Sequence, residues 1–263
     1  MTPDIQESAK TSWCEDFFDD LFAEHCLATR TADELAGIVA FLKDKLTLRT
    51  GDMIFDQCCG IGTLSLELAK RGYRTYGVDL IPSYISTARM AALQTQSACH
   101  FDAGDACAYI PPYPCDAAIN WWTSFGYFES DSENLKMLVA ARRSLKAGGR
   151  FALDYMNTPE RLAQFKGKDS TFWRVEKPGC VVACETRVAG RMLVKDWRYE
   201  GADGKRVVKK GGGVKLYTQD DLSHLFKQAG FTNIRFYGSI KSEALNDASP
   251  RCIITAQNPE DVA

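Results

Sequence analysis

Three carboxylates recur at one kind of position in this chain. Asp56, Asp79 and Asp105 close or follow short apolar runs at 53–57, 75–79 and 98–101, where the pattern implies a strand giving way to a helix. After the first run, Asp56-Gln57-Cys58-Cys59-Gly60-Ile61-Gly62 places two glycines at that turn. Gly60 and Gly62 let the backbone turn tightly and bring bare main chain against a ligand, while the helix N-terminus offers unpaired N–H groups. Such a turn alone fits several cofactors, or none. Asp79, with Leu80 beside it, lies at the separation expected of a carboxylate that accepts hydrogen bonds from ribose hydroxyls. In Gly104-Asp105-Ala106 the acid can accept from an adenine amino group, with the Ala106 N–H close to the ring. Together the three acids describe a site for an adenosine.

Charge separates the adenosine-bearing ligands. A nicotinamide dinucleotide wants three glycines and a loop free of negative charge, because a pyrophosphate must enter it. Here Ser65 stands in place of the third glycine and Asp56 adds negative charge. That arrangement repels pyrophosphate and attracts a ligand carrying a sulfonium and an ammonium. S-adenosylmethionine is the expected ligand, with Cys58, Gly60 and Gly62 around it. An NAD-dependent oxidoreductase is the disfavoured rival.

The elements that must position these groups follow from periodicity. Residues 51–157 alternate apolar strands with amphipathic helices, which implies parallel strands joined by helical crossovers. Strands are expected at 53–57, 75–79, 98–101, 117–121 and 150–155, and helices at 64–71, 84–94 and 133–145. Upstream, Thr31-Ala32-Asp33-Glu34 has a capping-box pattern before a helical run, so 1–48 is expected to be a helical lid. Beyond Thr158 the period changes to two, giving an antiparallel insertion over 158–217, and 218–263 closes with a helix and two strands. The expected fold is a single α/β domain: a Rossmann-like, doubly wound, mostly parallel sheet with a C-terminal antiparallel strand.

These motifs resemble the class I S-adenosylmethionine-dependent methyltransferases over nearly all of 51–157, and more loosely to the C-terminus. The family's glycine motif is similar to residues 54–64, its ribose acid falls on Asp79 and its adenine motif on Gly104-Asp105-Ala106. Leu145-Lys146-Ala147-Gly148-Gly149-Arg150-Phe151 resembles the family's L-K-P-G-G turn with Ala147 in place of Pro, and Ala229-Gly230-Phe231 resembles its A-G-F turn. The resemblance implies methyl transfer from S-adenosylmethionine, with S-adenosylhomocysteine as product. It further implies that backbone near Asn120 and Trp121 helps hold the methionine portion. Ile110-Pro111-Pro112-Tyr113 has letters of the amino-group nucleic-acid methyltransferase motif, but it precedes the fourth strand.

The acceptor is expected beyond the ends of strands four and five, where open α/β sheets gather ligands. Tyr127, Asp154, Tyr155 and Asn157 follow those strands and are the candidates for acceptor contact, with Tyr127, Asp154 and Asn157 as candidate catalytic residues. Trp121 and Tyr127 are better pocket candidates than Trp122 and Phe128. The aromatic opening Trp13, Phe17 and Phe18 looks like a lid that folds over the cofactor, where a ring face can attract a sulfonium. On the insertion, Arg174 or Lys195 facing inward favours an acidic acceptor. His25, His100 and His224 are scattered, and none is placed as a base.

Composition sets the remaining bounds. A formal net charge of -2 and evenly spread charges leave no basic block for a phosphate backbone, so no nucleic-acid partner is expected. No apolar run approaches the roughly 20 residues that span a bilayer, and no signal peptide is evident, so a cytoplasmic protein without membrane contact is expected, as monomer or homodimer. The 10 cysteines lack zinc-site spacing and read as free thiols, with no metal expected. The function expected is methylation of a small molecule at N, O or C; the alternative from another class is a protein that binds S-adenosylmethionine without turnover.

Overall fold

The computed structural model describes residues 16–177, 179–201 and 206–260. Strands β1 (Met53–Gln57), β2 (Arg74–Asp79), β3 (Cys99–Ala103), β4 (Cys115–Asn120) and β5 (Leu145–Tyr155) come first in the chain. β6 (Ser170–Lys177), β7 (Cys180–Ala189), β8 (Met192–Gly201) and β9 (Arg206–Lys215) form the insertion, and β10 (Thr232–Tyr237) and β11 (Cys252–Gln257) close the chain. The main sheet runs β10-β11-β5-β4-β1-β2-β3, and the second sheet β6-β7-β8-β9. β1 pairs in parallel with β2 and β4, while β11 is antiparallel to both β5 and β10. Strand order reverses between β1 and β4, so the ligand crevice opens above their C-terminal ends. Mostly parallel, with one reversed strand: this is the Rossmann-like fold expected.

Both faces of the sheet are covered, which is why its central strands are continuously apolar. Successive residues serve opposite faces. Ile54, Ala117, Ile119 and Ala152 join one core with Leu42, Leu64 and Leu68, whereas Phe55, Ala118 and Phe151 join another with Leu138, Leu222 and Phe226. Each such Phe, Leu or Ile contributes about 1.5–3 kcal/mol by leaving water. The helices supply their halves through stripes at helical spacing, as in α1 (Ala32–Lys45), where Leu35, Ile38, Val39 and Leu42 are buried.

The helices in chain order after α1 are α2 (Thr63–Lys70), α3 (Pro82–Gln94), α4 (Asp131–Arg143), α5 (Thr158–Ala163) and α6 (Gln219–Gln228). Three differ from expectation in detail. Thr31 caps α1 by accepting from the Glu34 N–H, but the Glu34 carboxylate pairs with Arg30 at 3.0 Å instead of returning to the cap. The full reciprocal box forms at α6, between Thr218 and Asp221. α4 stops at Arg143, because Leu145 already pairs with Cys115 and opens a longer β5 that takes in the Gly148 turn. α5 is a helix where extended chain was expected: Pro159 lies in its first turn, where a missing N–H costs nothing.

Two coverings lie over the crevice. The second sheet buries Val182, Cys184, Leu193 and Tyr199, and it is tied to the core where the Lys215 N–H donates to the Gly126 carbonyl at 2.7 Å. Between sheet and crevice runs the N-terminal segment, a short helix Asp20–Phe22 continuing as a wider π turn Ala23–Leu27. On the sheet side Phe22 packs edge-on to Trp197 at 5.6 Å, and Lys177 Nζ donates to the His25 carbonyl at 2.6 Å. On the core side the Tyr84 hydroxyl donates to the Asp19 carbonyl at 2.8 Å. Among the described residues no helix is long and apolar enough to cross a membrane.

Candidate functional site

The crevice holds a cavity with an empty volume of about 770 Å³, part of it open to solvent, within the usual size of small-ligand sites. Its floor is the turn after β1. Gly60 and Gly62 have φ of 56° and 79°, and a Cβ on Gly62 would come within 2.8 Å of the Phe101 ring, so that turn requires glycine. Cys58 adopts φ 60° without being glycine, as do Trp122 and Thr123 after β4, at 58° and 61°. Left-handed backbone at such residues costs on the order of 1–3 kcal/mol each and gathers at ligand sites. Three of the seven such residues described stand at the carboxyl ends of the two strands that flank the crevice.

Asp79 is the organising side chain. One carboxylate oxygen accepts from the Gly60 N–H at 2.8 Å and the other from the Ile81 N–H at 3.0 Å, which ties the ends of β1 and β2 together while the carboxylate lines the cavity. Burial pushes its pKa up, and the Ile81 and Gly60 amides pull it back down. Asp105 also lines the cavity and orders its own turn by accepting from the Cys107 N–H at 2.8 Å. Leu80, Ala106, Met137 and Phe128 supply apolar wall, and Phe18 and Leu27 of the N-terminal segment close the cavity from above. A Cβ on Gly60 would stand 3.3 Å from Leu27, so segment and glycine loop nearly touch. A carboxylate with lone pairs left for a diol, a second acid nearby and flat apolar walls between them suit an adenosine.

Of the residues expected around the cofactor, Cys58, Gly60, Asp79, Leu80, Asp105 and Ala106 line this one cavity. Others lie elsewhere. Asp56 is buried beneath the loop and accepts from the Ser65 hydroxyl at 2.6 Å; burial raises its pKa to about 7, the Ser65 bond opposing and Asp79 adding to the shift. Its charge is therefore not presented to the cavity. Gly62 starts α2 behind the loop. Asn120 is fully buried and donates to Gln57 at 3.4 Å, leaving its carbonyl oxygen without a partner among the described residues. Trp121 points into the core beside Phe41, with ring centroids 6.2 Å apart, and does not line the cavity; Phe128, weighed as the poorer pocket candidate, does. Phe17 is buried against Phe18 and Trp197, so Phe18 is the lid aromatic that faces the cavity. Trp13 lies outside the described residues.

The candidate catalytic residues separate as clearly. Tyr127 lines the cavity and packs on Phe18 at 5.9 Å. Asp154 does not reach it. Both of its oxygens accept from Arg251 at 2.7 Å, one also accepts from the Trp122 N–H at 3.0 Å, and Arg251 donates onward to the Thr123 hydroxyl at 2.7 Å. The pair thus holds the left-handed turn of Trp122 and Thr123 and leaves no lone base. Asn157 spends its amide on the carbonyls of Asn246, Asp247 and Ser249, fastening the loop before β11. Tyr155 is fully buried and donates to the Lys215 carbonyl. Leu27, Ser124, Met137 and Tyr84 line the cavity unannounced by the sequence. Tyr84 alone carried a signal, being the first polar aromatic of the helix that follows Asp79. Among the described residues no group of three or more metal-ligating side chains is assembled.

Comparison with known proteins agrees with the geometry. Residues 54–149 match the family model of a methyltransferase domain. An uncharacterized RNA methyltransferase of Bacillus cereus is 37% identical over 67 residues, covering 25% of this chain and 15% of that protein. A protein named as an S-adenosyl-L-methionine-dependent Diels-Alderase, from Talaromyces variabilis, is 33% identical over 116 residues, covering 41% of this chain and 37% of that protein. The chain therefore matches well under half the length of either relative. Among solved structures, an amino pentose methyltransferase from Micromonospora echinaspora with S-adenosylmethionine bound shares the fold with a TM-score of 0.66 at 19% identity, over 92% of this chain and 98% of that one. Residues 54–149 therefore match a methyltransferase domain, and the chain as a whole shares its fold with methyltransferases of known structure, one of them with S-adenosylmethionine bound.

Proposed function

We propose that this protein transfers a methyl group to a small organic molecule. The observation that carries this reading is the double covering: Phe18 and Leu27 close over the cavity, and the second sheet lies over them. A site roofed in this way takes a compact acceptor more readily than a polynucleotide, and the net charge of -2 offers nothing for a phosphate backbone. The amino pentose methyltransferase that shares this fold supports a compact acceptor.

When bound, the cofactor supplies an electrophilic methyl group on sulfur. The chain's own work is to bind, align and dry the site. Asp79 and Asp105 hold the adenosine end, Asp79 kept in place by the amides of Gly60 and Ile81. Phe18 and Leu27 exclude water, and the Asp154–Arg251 pair fixes the Trp122–Thr123 turn at the end of β4. Tyr127 and Phe128 also line the cavity, where an acceptor would rest beside the cofactor. Alignment of this kind supplies most of what a direct displacement needs, so a strong base is not required for an amine that arrives unprotonated.

The test uses S-adenosylmethionine labelled in the methyl group, offered with a small-molecule extract or with bulk tRNA. Label should enter the small-molecule fraction. Label entering tRNA alone, or a bound cofactor that never loses its methyl with either partner, contradicts the proposal; the second outcome matters because one relative's name couples this cofactor to a Diels-Alder reaction.

A further inference from the structure

Lys195 occupies an unusual place on the covering sheet. Along β8 it alternates with Leu193, Trp197 and Tyr199, and these define the inner face: Leu193 and Tyr199 are buried, and Trp197 packs on Phe17 and Phe22. Across β7 it stands opposite buried Thr186. Across β9 it has no partner, because pairing passes from Val194–Gly213 to Asp196–Lys210, so Gly211 and Gly212 both oppose it. A Cβ on Gly211 would lie 2.2 Å from the Lys195 carbonyl and 3.0 Å from the Phe17 ring. The run Gly211-Gly212-Gly213 therefore permits a β-bulge on β9 opposite this residue, which leaves the Lys195 backbone without a β9 partner.

Two arginines act on its ammonium. Lys195 is only partly exposed, with Arg161 and Arg251 as charged neighbours alongside the thiols of Cys184 and Cys26. Each arginine has its own carboxylate, Arg251 with Asp154 at 2.7 Å and Arg161 with Glu160 at 3.7 Å. Among the described residues no carboxylate pairs with Lys195. Desolvation holds its pKa below the ordinary lysine range, and the two arginines push the same way. A half-buried cation without a counter-ion is costly unless an anion arrives to meet it. Arg251 meets Thr123 just beyond β4, on the side of the sheet where the cavity opens.

We propose that the methyl acceptor carries an anionic group, a carboxylate or a phosphate, and that Lys195 is the residue that receives it beneath the covering sheet. This rests on the small-molecule methyltransferase reading above. Tyr127 lines the cavity at the reacting end. Arg174, the other cation weighed on this sheet, is exposed and lies 3.6 Å from Glu200, so it is not part of the subsite.

The test follows the ammonium itself. Lysines of the full chain, saturated with S-adenosylhomocysteine, are ¹³C-methylated, and the Lys195 signal is identified by its loss in Lys195→Met, or in Lys195→Arg if the first variant does not fold. Sodium acetate, inorganic phosphate and sodium chloride are titrated at matched ionic strength. The Lys195 signal should saturate with acetate or phosphate at a concentration at least tenfold lower than any exposed lysine shows, and chloride should not reproduce it. A response to acetate assigns a carboxylate, and a response to phosphate assigns a phosphate ester. The proposal is overturned if Lys195 follows the exposed lysines with all three salts. Calorimetric binding of S-adenosylhomocysteine by the same sample reports on the cofactor site separately, so a silent Lys195 with intact cofactor binding removes this inference alone.

Discussion

At the scale of single residues, the direction in which a carboxylate turns decides its role. Asp79 turns to the cavity, while Asp56, on the neighbouring strand, turns under α2 to Ser65. With its pKa raised to about 7, Asp56 folds more readily protonated than ionised. Its contribution to stability is therefore complete below the unfolded carboxylate range near 3.8 and is lost as pH rises through about 7. Asp56→Asn, which can still accept from Ser65, should melt above wild type at about pH 8, by a few kcal/mol at most, with the advantage shrinking toward about pH 5. A gap that does not change with pH would show that Asp56 is ionised throughout. Sequence revealed that acids end these strands, because the apolar runs mark where strands stop. It did not reveal which way each acid turns, nor that Asp154 and Asn157 are already spent on Arg251 and on the loop at 246–249, about 90 or more residues away along the chain.

At the scale of elements, the end of β4 is held from β5 and β11 together. Arg251, at the start of β11, satisfies buried Asp154 on β5, and the two fix the left-handed Trp122 and Thr123. Arg251→Met should cost about 3–5 kcal/mol in urea unfolding, since it strands a buried charge, and should weaken cofactor binding through the same turn. A loss below about 1 kcal/mol would mean that the pair does not hold the turn. The parallel strands, the capped helices and the antiparallel insertion could be read from periodicity, because each carries its own repeat and turn residues. α5 could not: its six residues hold too few apolar positions to show a helical stripe, and only Pro159 hinted at a helix start.

At the scale of the molecule, three layers meet over the carboxyl ends of the central strands: glycine loop, N-terminal segment and second sheet. Single-sequence patterning showed the second sheet and the helical opening as separate pieces. Their packing, with Phe17 and Phe22 against Trp197 and Tyr84 bonded to Asp19, joins residues 65 to about 180 positions apart, and no local pattern records it. That packing partly roofs the cavity, and in the proposed reading Asp79 is the residue on which both loop and ligand depend. Calorimetry with S-adenosylmethionine and with NAD, on wild type and on Asp79→Ala, tests this most directly. Wild type should bind one equivalent of S-adenosylmethionine and no NAD, and Asp79→Ala should remain folded by circular dichroism while binding at least tenfold more weakly, about 1.4 kcal/mol or more. Tight NAD binding without S-adenosylmethionine binding, or unchanged affinity in Asp79→Ala, would contradict it.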